Sequence, residues 1–393
     1  MKNVTGQVAT GEDFFDREQE QKQYWSDLDT DNLLLLAPRR VGKTSVMKRM
    51  QENSDQQGFS VVFVDVSDAG SEAAFVRRLY QAVLESANGD GLWNRLQDSW
   101  LGHAISRVKK VGGGGFSVEF VGEDTNDWSR VGRELANALS NLGGRWLIQI
   151  DELPVFVLKL LHDPNSEQRI RVREFLYWMR RMRLEYPTVR WMLAGSIGLD
   201  TITARLNLAD TINDLRIVTL GAYSRQTAHD LLCTLGATYS IELSEPVRQR
   251  LIDRIGWPIP YYLQLAFHEL RNRDGAAAVT TDDVDHVFET LLDSAHRAYF
   301  DYWRQRLYDE LGRPDNDYAI DLLAAVSRDE EGATKDTLSQ LLEQSIADLR
   351  ERDAKLRYLL DVLQSDGYLV EHEHRWRFRF PLLRDYWCKR VVP

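Results

Sequence analysis

The stretch "LLLLAPRRVGKTSVMKRM", Leu33 to Met50, holds the pattern on which the fold turns. Four leucines make an apolar run of strand length, residues 44–50 read as an amphipathic helix, and Gly42, Lys43 and Thr44 stand in succession between them. A buried strand that gives way to a turn and then a helix is the setting a phosphate-binding loop requires. In such a loop the segment Pro38, Arg39, Arg40, Val41, Gly42, Lys43, Thr44 and Ser45 wraps the phosphates, and its backbone N–H groups, which Pro38 lacks, face the oxygens. Lys43 reaches the β- and γ-phosphates, and the Thr44 hydroxyl completes the shell of a Mg²⁺ ion. Ala37 occupies the position where the loop usually begins with Gly. A Cβ is tolerated there provided φ stays negative, whereas Gly42 is less replaceable.

Two further segments supply what the loop lacks. "RWLIQIDE" sets Asp151 and Glu152 directly after a buried strand, so Asp151 is a candidate to hold the Mg²⁺ shell and Glu152 to orient or deprotonate an attacking water. The alternative, an acidic pair capping a helix, does not account for its occurrence with the loop. Ser196 ends a third apolar run, "VRWMLAGS", and is a candidate polar sensor of the γ-phosphate. The catalytic candidates are therefore Glu152, Lys43 and Ser196, and the metal candidates Thr44 and Asp151.

The whole chain sets limits on this chemistry. Its 393 residues exceed one small core, and 49 Lys and Arg against 60 Asp and Glu give a formal charge of -11. That is not the field of a dedicated DNA coat. Two cysteines, Cys233 and Cys388, do not make a disulfide framework or a zinc site. No apolar run approaches the length of a membrane span, so the expected location is the cytoplasm, with no membrane partner. The arginine-rich segment from Arg169 to Arg183 carries Val172, Phe175, Leu176, Met179 and Met182 at helical spacing. It reads as a helix with a buried stripe and a basic, solvated face.

Along the first half, strands are expected at 33–36, 61–66, 146–150, 189–194 and 217–220, alternating with helices at 44–50, 72–84, 128–142 and 170–184. This is the pattern of a parallel sheet covered on both faces. The expected fold is therefore α/β, a P-loop parallel sheet over residues 10–221, with a glycine-rich insertion at about 104–127 that suits a loop or hairpin. From Ser224 the pattern turns helical, giving a lid domain over 222–308. Its aromatic run "RAYFDYWRQRL" is expected in packing more than as a ligand platform. Residues 312–393 read as three helices and two strands, the layout of a winged helix. The segment "AKLRYLLDVLQSDG" mixes Lys355 and Arg357 with Asp361 and Asp366, next to Asp353. Such a mixed face would gain little from a phosphate backbone, although Arg375, Arg377 and Arg379 could give the wing a positive edge.

"FFDREQE" at 14–20, "APRRVGKTSVM" at 37–47, "IDELP" at 150–154, "LAGSIGL" at 193–199, "GWPIPYYLQ" at 256–264 and the terminal "FRFPLLRDYW" together resemble the archaeal-type P-loop ATPases of the STAND branch of the AAA+ superfamily. The resemblance covers essentially the whole chain and implies that Ala at the loop's first position is an ordinary variant. It implies that Arg17 and Glu18 lie near the nucleotide base and that Pro258 belongs to a lid closing over ATP or ADP. By this resemblance the expected function is a Mg-ATP-dependent regulatory switch with slow hydrolysis, in signalling or defence, acting on a protein partner or by self-association. The alternatives are an ATPase that binds DNA through its winged helix and a scaffold stabilised by nucleotide.

Overall fold

The computed structural model describes residues 1–86, 105–111, 115–120, 128–161, 168–195, 198–273, 278–293 and 296–392. The chain divides into two compact units. One comprises Arg17–Ala37 and Lys43–Leu220, and the other Met1–Asp16, Pro38–Gly42 and Gly221–Pro393.

The first unit runs α1 (Glu18–Leu28), β1 (Asn32–Leu36), α2 (Lys43–Glu52), β2 (Phe59–Asp65), α3 (Glu72–Ser86), β3 (Ile105–Val111), β4 (Gly115–Phe120), α4 (Trp128–Asn141), β5 (Arg145–Asp151), α5 (Leu153–Leu161), α6 (Gln168–Glu185), β6 (Val189–Gly195), α7 (Leu199–Arg205) and β7 (Leu215–Thr219). Five strands form one parallel sheet in the order β2-β5-β6-β1-β7. Leu33, Leu34 and Leu35 of β1 are all buried, as a strand covered on both faces requires. The core beside the sheet is aromatic: Phe75 of α3 packs against Phe156 of α5 and Phe175 of α6, with ring centroids 5.2 and 4.9 Å away. Burial of each such ring stabilises the unit by roughly 2–3 kcal/mol. Within the expected insertion β3 and β4 pair antiparallel, and the last of the four consecutive glycines, Gly115, already belongs to β4.

Helix α6 buries Val172, Phe175, Leu176, Met179 and Met182 as its periodicity predicts, but its arginines are not simply solvated. Arg183 is buried and donates to Asp214 and to the Thr211 carbonyl, while Arg171 makes a two-pronged bond with the buried Glu72. A carboxylate within reach lets a helix turn a guanidinium inward, which a pattern of residue types alone does not reveal.

In the second unit α8 (Arg225–Tyr239), α9 (Glu245–Ile255), α10 (Pro260–Arg271), α11 (Thr281–Leu291) and α12 (Ala298–Leu311) precede α13 (Asp315–Ser327), β8 (Ala333–Thr334), α14 (Lys335–Leu342), α15 (Leu349–Ser365), β9 (Leu369–His372), β10 (Arg375–Phe378) and α16 (Pro381–Arg390). Ser224 caps α8 by accepting from the Thr227 N–H, and Thr280 and Asp283 form a reciprocal capping box on α11. Ser244 makes no side-chain cap on α9. The small sheet has the order β8-β10-β9, both pairs antiparallel, and with α13 to α15 it makes a winged helix.

The mixed charge expected on α15 resolves into two faces. Asp366, just past the helix, is buried against Arg306 at 3.0 Å, and Lys355 is held by Asp315 at 2.7 Å. The exposed residues of α15 are Leu349, Arg350, Glu351, Ala354, Arg357, Asp361, Gln364 and Ser365, and Asp353 is half-buried. The wing is less free than its sequence suggests: Arg375 is bonded to Asp329 and to the Glu331 carbonyl, and Arg379 lies over the Trp257 ring.

Candidate nucleotide site

Four of the candidate residues converge in the first unit. Lys43 opens α2 and is buried, and its Nζ lies 3.0 Å from Asp151 Oδ1 and 3.1 Å from Glu152 Oε1. Thr44 Oγ1 donates to Asp151 Oδ2 at 2.6 Å, and the Glu152 N–H donates to Asp151 Oδ1 at 2.9 Å. Asp151 thus has donors on both oxygens. The sheet order explains the meeting: β5 and β1 flank β6, so the segments leaving their carboxyl ends emerge on the same edge of the sheet.

The backbone is as particular as the side chains. Glu152 has φ of 58° and Arg40 has φ of 65°, both in the left-handed region, and Gly42 has φ of 95°. A non-glycine residue held there costs about 1 kcal/mol or more and persists only where the surroundings fix it. Ala37 is not among the positive-φ residues, so the condition under which it can replace glycine is met.

The residues present fit a magnesium ion held jointly with phosphate. The Thr44 hydroxyl and the Asp151 carboxylate are hard oxygen donors already in contact. Among the described residues no group of three or more His, Cys, Asp or Glu could hold a metal without help. That suits Mg²⁺, which is commonly held by one or two protein oxygens together with water and substrate phosphates.

The other candidates fall as follows. Arg17 is buried at the start of α1, with φ of 78° and an ion pair to Glu20 at 2.6 Å, and Glu18 is exposed on the first turn of that helix. Ser45 is half-buried in α2 and Val41 is buried. In the second unit the Pro258 carbonyl accepts from the Tyr223 N–H at 3.0 Å. Ser196 lies outside the described residues, one position beyond the end of β6.

Loop residues 38–42 belong to the compact contacts of the second unit. The Arg40 guanidinium carbon lies 3.8 Å from the ring centre of Tyr261 and 4.1 Å from that of Tyr302, with Arg39 5.8 Å from the latter. Tyr302 and Tyr262 share a hydroxyl hydrogen bond of 3.0 Å, and Trp303 Nε1 donates to the Tyr262 hydroxyl at 2.7 Å. Burial pushes the Tyr261 and Tyr302 phenols upward, with Arg40 pulling the other way, so both rings stay neutral near pH 7. Sequence reasoning assigned this aromatic run to packing. The signal that could have found the pair is the coincidence of "PYY" and "FDYW" with a loop carrying two adjacent arginines.

No family model matches the chain, and no curated protein matches it in sequence. Solved structures do match over nearly its full length. A Walker-type ATPase of Pyrococcus abyssi aligns with a TM-score of 0.64 at 17% identity, covering 98% of this chain and 99% of the other. The ORC2 protein of Aeropyrum pernix, solved as ADPNP-ADP complexes, aligns with a TM-score of 0.58 at 12% identity, covering 96% and 95%. At such identities what is shared is the fold. These matches overturn the resemblance to the STAND branch, because both whole-chain likenesses run to a Walker-type ATPase and an ORC protein. The phosphate loop and the acidic strand end behind that resemblance are motifs of the P-loop fold in general and do not separate its branches. The chain has the fold of a Walker-type ATPase: a parallel P-loop sheet flanked by helices, followed by further helical regions.

Proposed function

We propose that the chain is an AAA+ ATPase that binds Mg-ATP and uses its hydrolysis to change conformation. The observation that carries this reading is the convergence of Lys43, Thr44, Asp151 and Glu152 at the carboxyl edge of a parallel sheet. Lys43 lies against the two carboxylates. Arrival of a triphosphate gives its ammonium a competing anion, and its transfer there frees Glu152 to orient or deprotonate the attacking water. Thr44 and Asp151 would hold the magnesium ion, which neutralises charge building on the transferred phosphoryl group. Ser196, by its place after β6, is proposed as the γ-phosphate sensor. Titration of a fluorescent ATP analogue tests the reading: Lys43→Ala should lose most of the affinity, and a folded variant that binds like wild type rejects it.

A DNA-associated role is the better of the remaining readings, and the exposed face of α15 favours it. It presents Arg350 and Arg357 toward solvent, with Glu351 and Asp361 exposed beside them and Gln364 continuing the face. A recognition helix uses such a face, with its first turns nearest the bases. Duplex binding measured against salt is the test. Arg350→Ala and Arg357→Ala together should weaken binding and flatten the salt dependence by about one to two units of slope. Binding that is absent, or indifferent to both changes, removes this role.

A further inference from the structure

Resting on the ATP reading above, we propose that Tyr261 and Tyr302 are positioning residues for the phosphate loop, holding Arg40 in its left-handed backbone conformation and thereby presetting the loop for nucleotide. Arg40 is a non-glycine residue at φ 65°, two positions before Gly42 at φ 95°. Alternation of left-handed and ordinary backbone turns successive N–H groups toward one point, the concavity that receives phosphate oxygens. Something must offset the strain at Arg40, and what surrounds its side chain is aromatic. The guanidinium sits within 3.8 and 4.1 Å of the two ring centres, and its Nη1 is buried without a hydrogen-bond partner among the described residues.

Ring faces suit this task for an electrostatic reason. A carboxylate would hold Arg40 more tightly but would place negative charge beside a loop that must accept an anion. Neutral rings attract the cation through their quadrupole and leave its charge in place. The cage is itself braced. Tyr302 is tied to Tyr262, which stacks on Phe300 at 5.6 Å and accepts from Trp303. The loop is gripped at a second point. A Cβ on Gly367, whose φ is +86°, would lie 2.9 Å from the Trp257 ring and 3.6 Å from Pro38, so Trp257, Pro38 and the turn after α15 are in close packing. Helices α10 and α12 thus reach Arg40 through Tyr261 and Tyr302, and the turn after α15 lies beside Pro38, so displacing any of them would alter how the loop meets phosphate.

The test is the dissociation constant of a fluorescent ATP analogue on the full chain, with Lys43→Ala as reference. Tyr261→Leu and Tyr302→Leu should each weaken binding roughly tenfold, the value of one partly desolvated cation–π contact. Tyr302→Phe, which keeps the ring and loses the hydroxyl, should restore most of the affinity. In steady-state hydrolysis the loss should fall on KM and not on kcat. Arg40→Met removes the cation but keeps a side chain at φ 65°, whereas Arg40→Gly enters that region freely, so Gly should bind more tightly than Met. In the Arg40→Gly background the leucine changes should add nothing further. The proposal is overturned if Phe is as damaging as Leu, if Met and Gly bind alike, or if the leucine changes act in full without Arg40. Loss of binding by Lys43→Ala with wild-type affinity in the leucine variants rejects the cage alone. Wild-type binding by Lys43→Ala rejects the ATP reading on which it rests.

Discussion

Replacing Lys43 by Met removes the ammonium while keeping most of the apolar stem, and its effect on the nucleotide-free protein follows from the geometry. Lys43 is 7% exposed and Asp151 is 1% exposed, with 3.0 Å between amine and carboxylate. At an effective dielectric constant of about 20 that contact is worth about 5 kcal/mol before desolvation, and the cost of burying both charges cancels much of it. Breaking a buried pair leaves one charge without its counter-ion, which typically costs about 3–5 kcal/mol. Asp151 keeps two donors, the Thr44 hydroxyl at 2.6 Å and the Glu152 N–H at 2.9 Å, which brings the cost to or somewhat below the bottom of that range, about 2–3 kcal/mol. Followed by tryptophan fluorescence in urea, the transition of the first unit should move down by about 1 M. Asp151→Asn removes the stranded charge, so the double variant should lose at least about 1 kcal/mol less than the sum of the single changes. An unchanged midpoint in Lys43→Met, or strict additivity in the double variant, would refute the view that these groups hold one another.

Glu152→Gln should bind ATP as wild type does while phosphate release falls by about 100-fold or more, since the amide keeps the shape and loses the base; equal turnover contradicts the assignment. Thr44→Val should raise the Mg²⁺ concentration needed for half-maximal turnover, and chelation with EDTA should stop turnover in the wild type; a variant with unaltered magnesium dependence separates Thr44 from the metal. Asp366→Ala strips the buried Arg306 of a partner at 3.0 Å and should destabilise the winged-helix region by about 3 kcal/mol, read as a lowered melting transition; an unshifted melt shows the pair to be neutral.

The parts of this architecture that were legible in the sequence are those where one residue type dominates a run. Strands β1, β2, β5, β6 and β7 carry short apolar runs, and the structure moves no expected end by more than two residues, with β2 and β7 each stopping one residue early. Helix α5 escaped because "LPVFVLKLL" is apolar almost all round, and periodicity does not separate such a segment from a buried strand; only Pro154 at its second position marks a helix start. Strand β8 is two residues long and has no pattern to read. Arg183 and Asp366 were placed in solvent by their charge, and each turned inward because a partner far along the chain awaited it, Asp214 in one case and Arg306 in the other. The meeting of Lys43, Thr44, Asp151 and Glu152 was legible because the phosphate-loop reading calls for those types after two strands. Tyr261 and Tyr302 were not, because their relation to Arg40 spans more than two hundred residues and aromatic types are common in cores.

The alanine at the head of the loop joins these observations. A first glycine would be required if the chain turned through the left-handed region where β1 ends, but Ala37 does not: the Leu36 carbonyl still accepts from the Leu220 N–H at 3.0 Å, so sheet pairing runs to the brink of the loop. The turning is deferred to Arg40 and Gly42. Gly42 needs no help, because without a Cβ it takes φ 95° at little cost. Arg40 does need help, and the side chain that makes its backbone strained is also the one that reaches two tyrosine rings. A glycine at position 40 would relieve the strain and lose the handle. Keeping arginine there makes the shape of the phosphate loop depend on residues from the far half of the chain, and a nucleotide that reshapes the loop must act back on those residues with the same free energy.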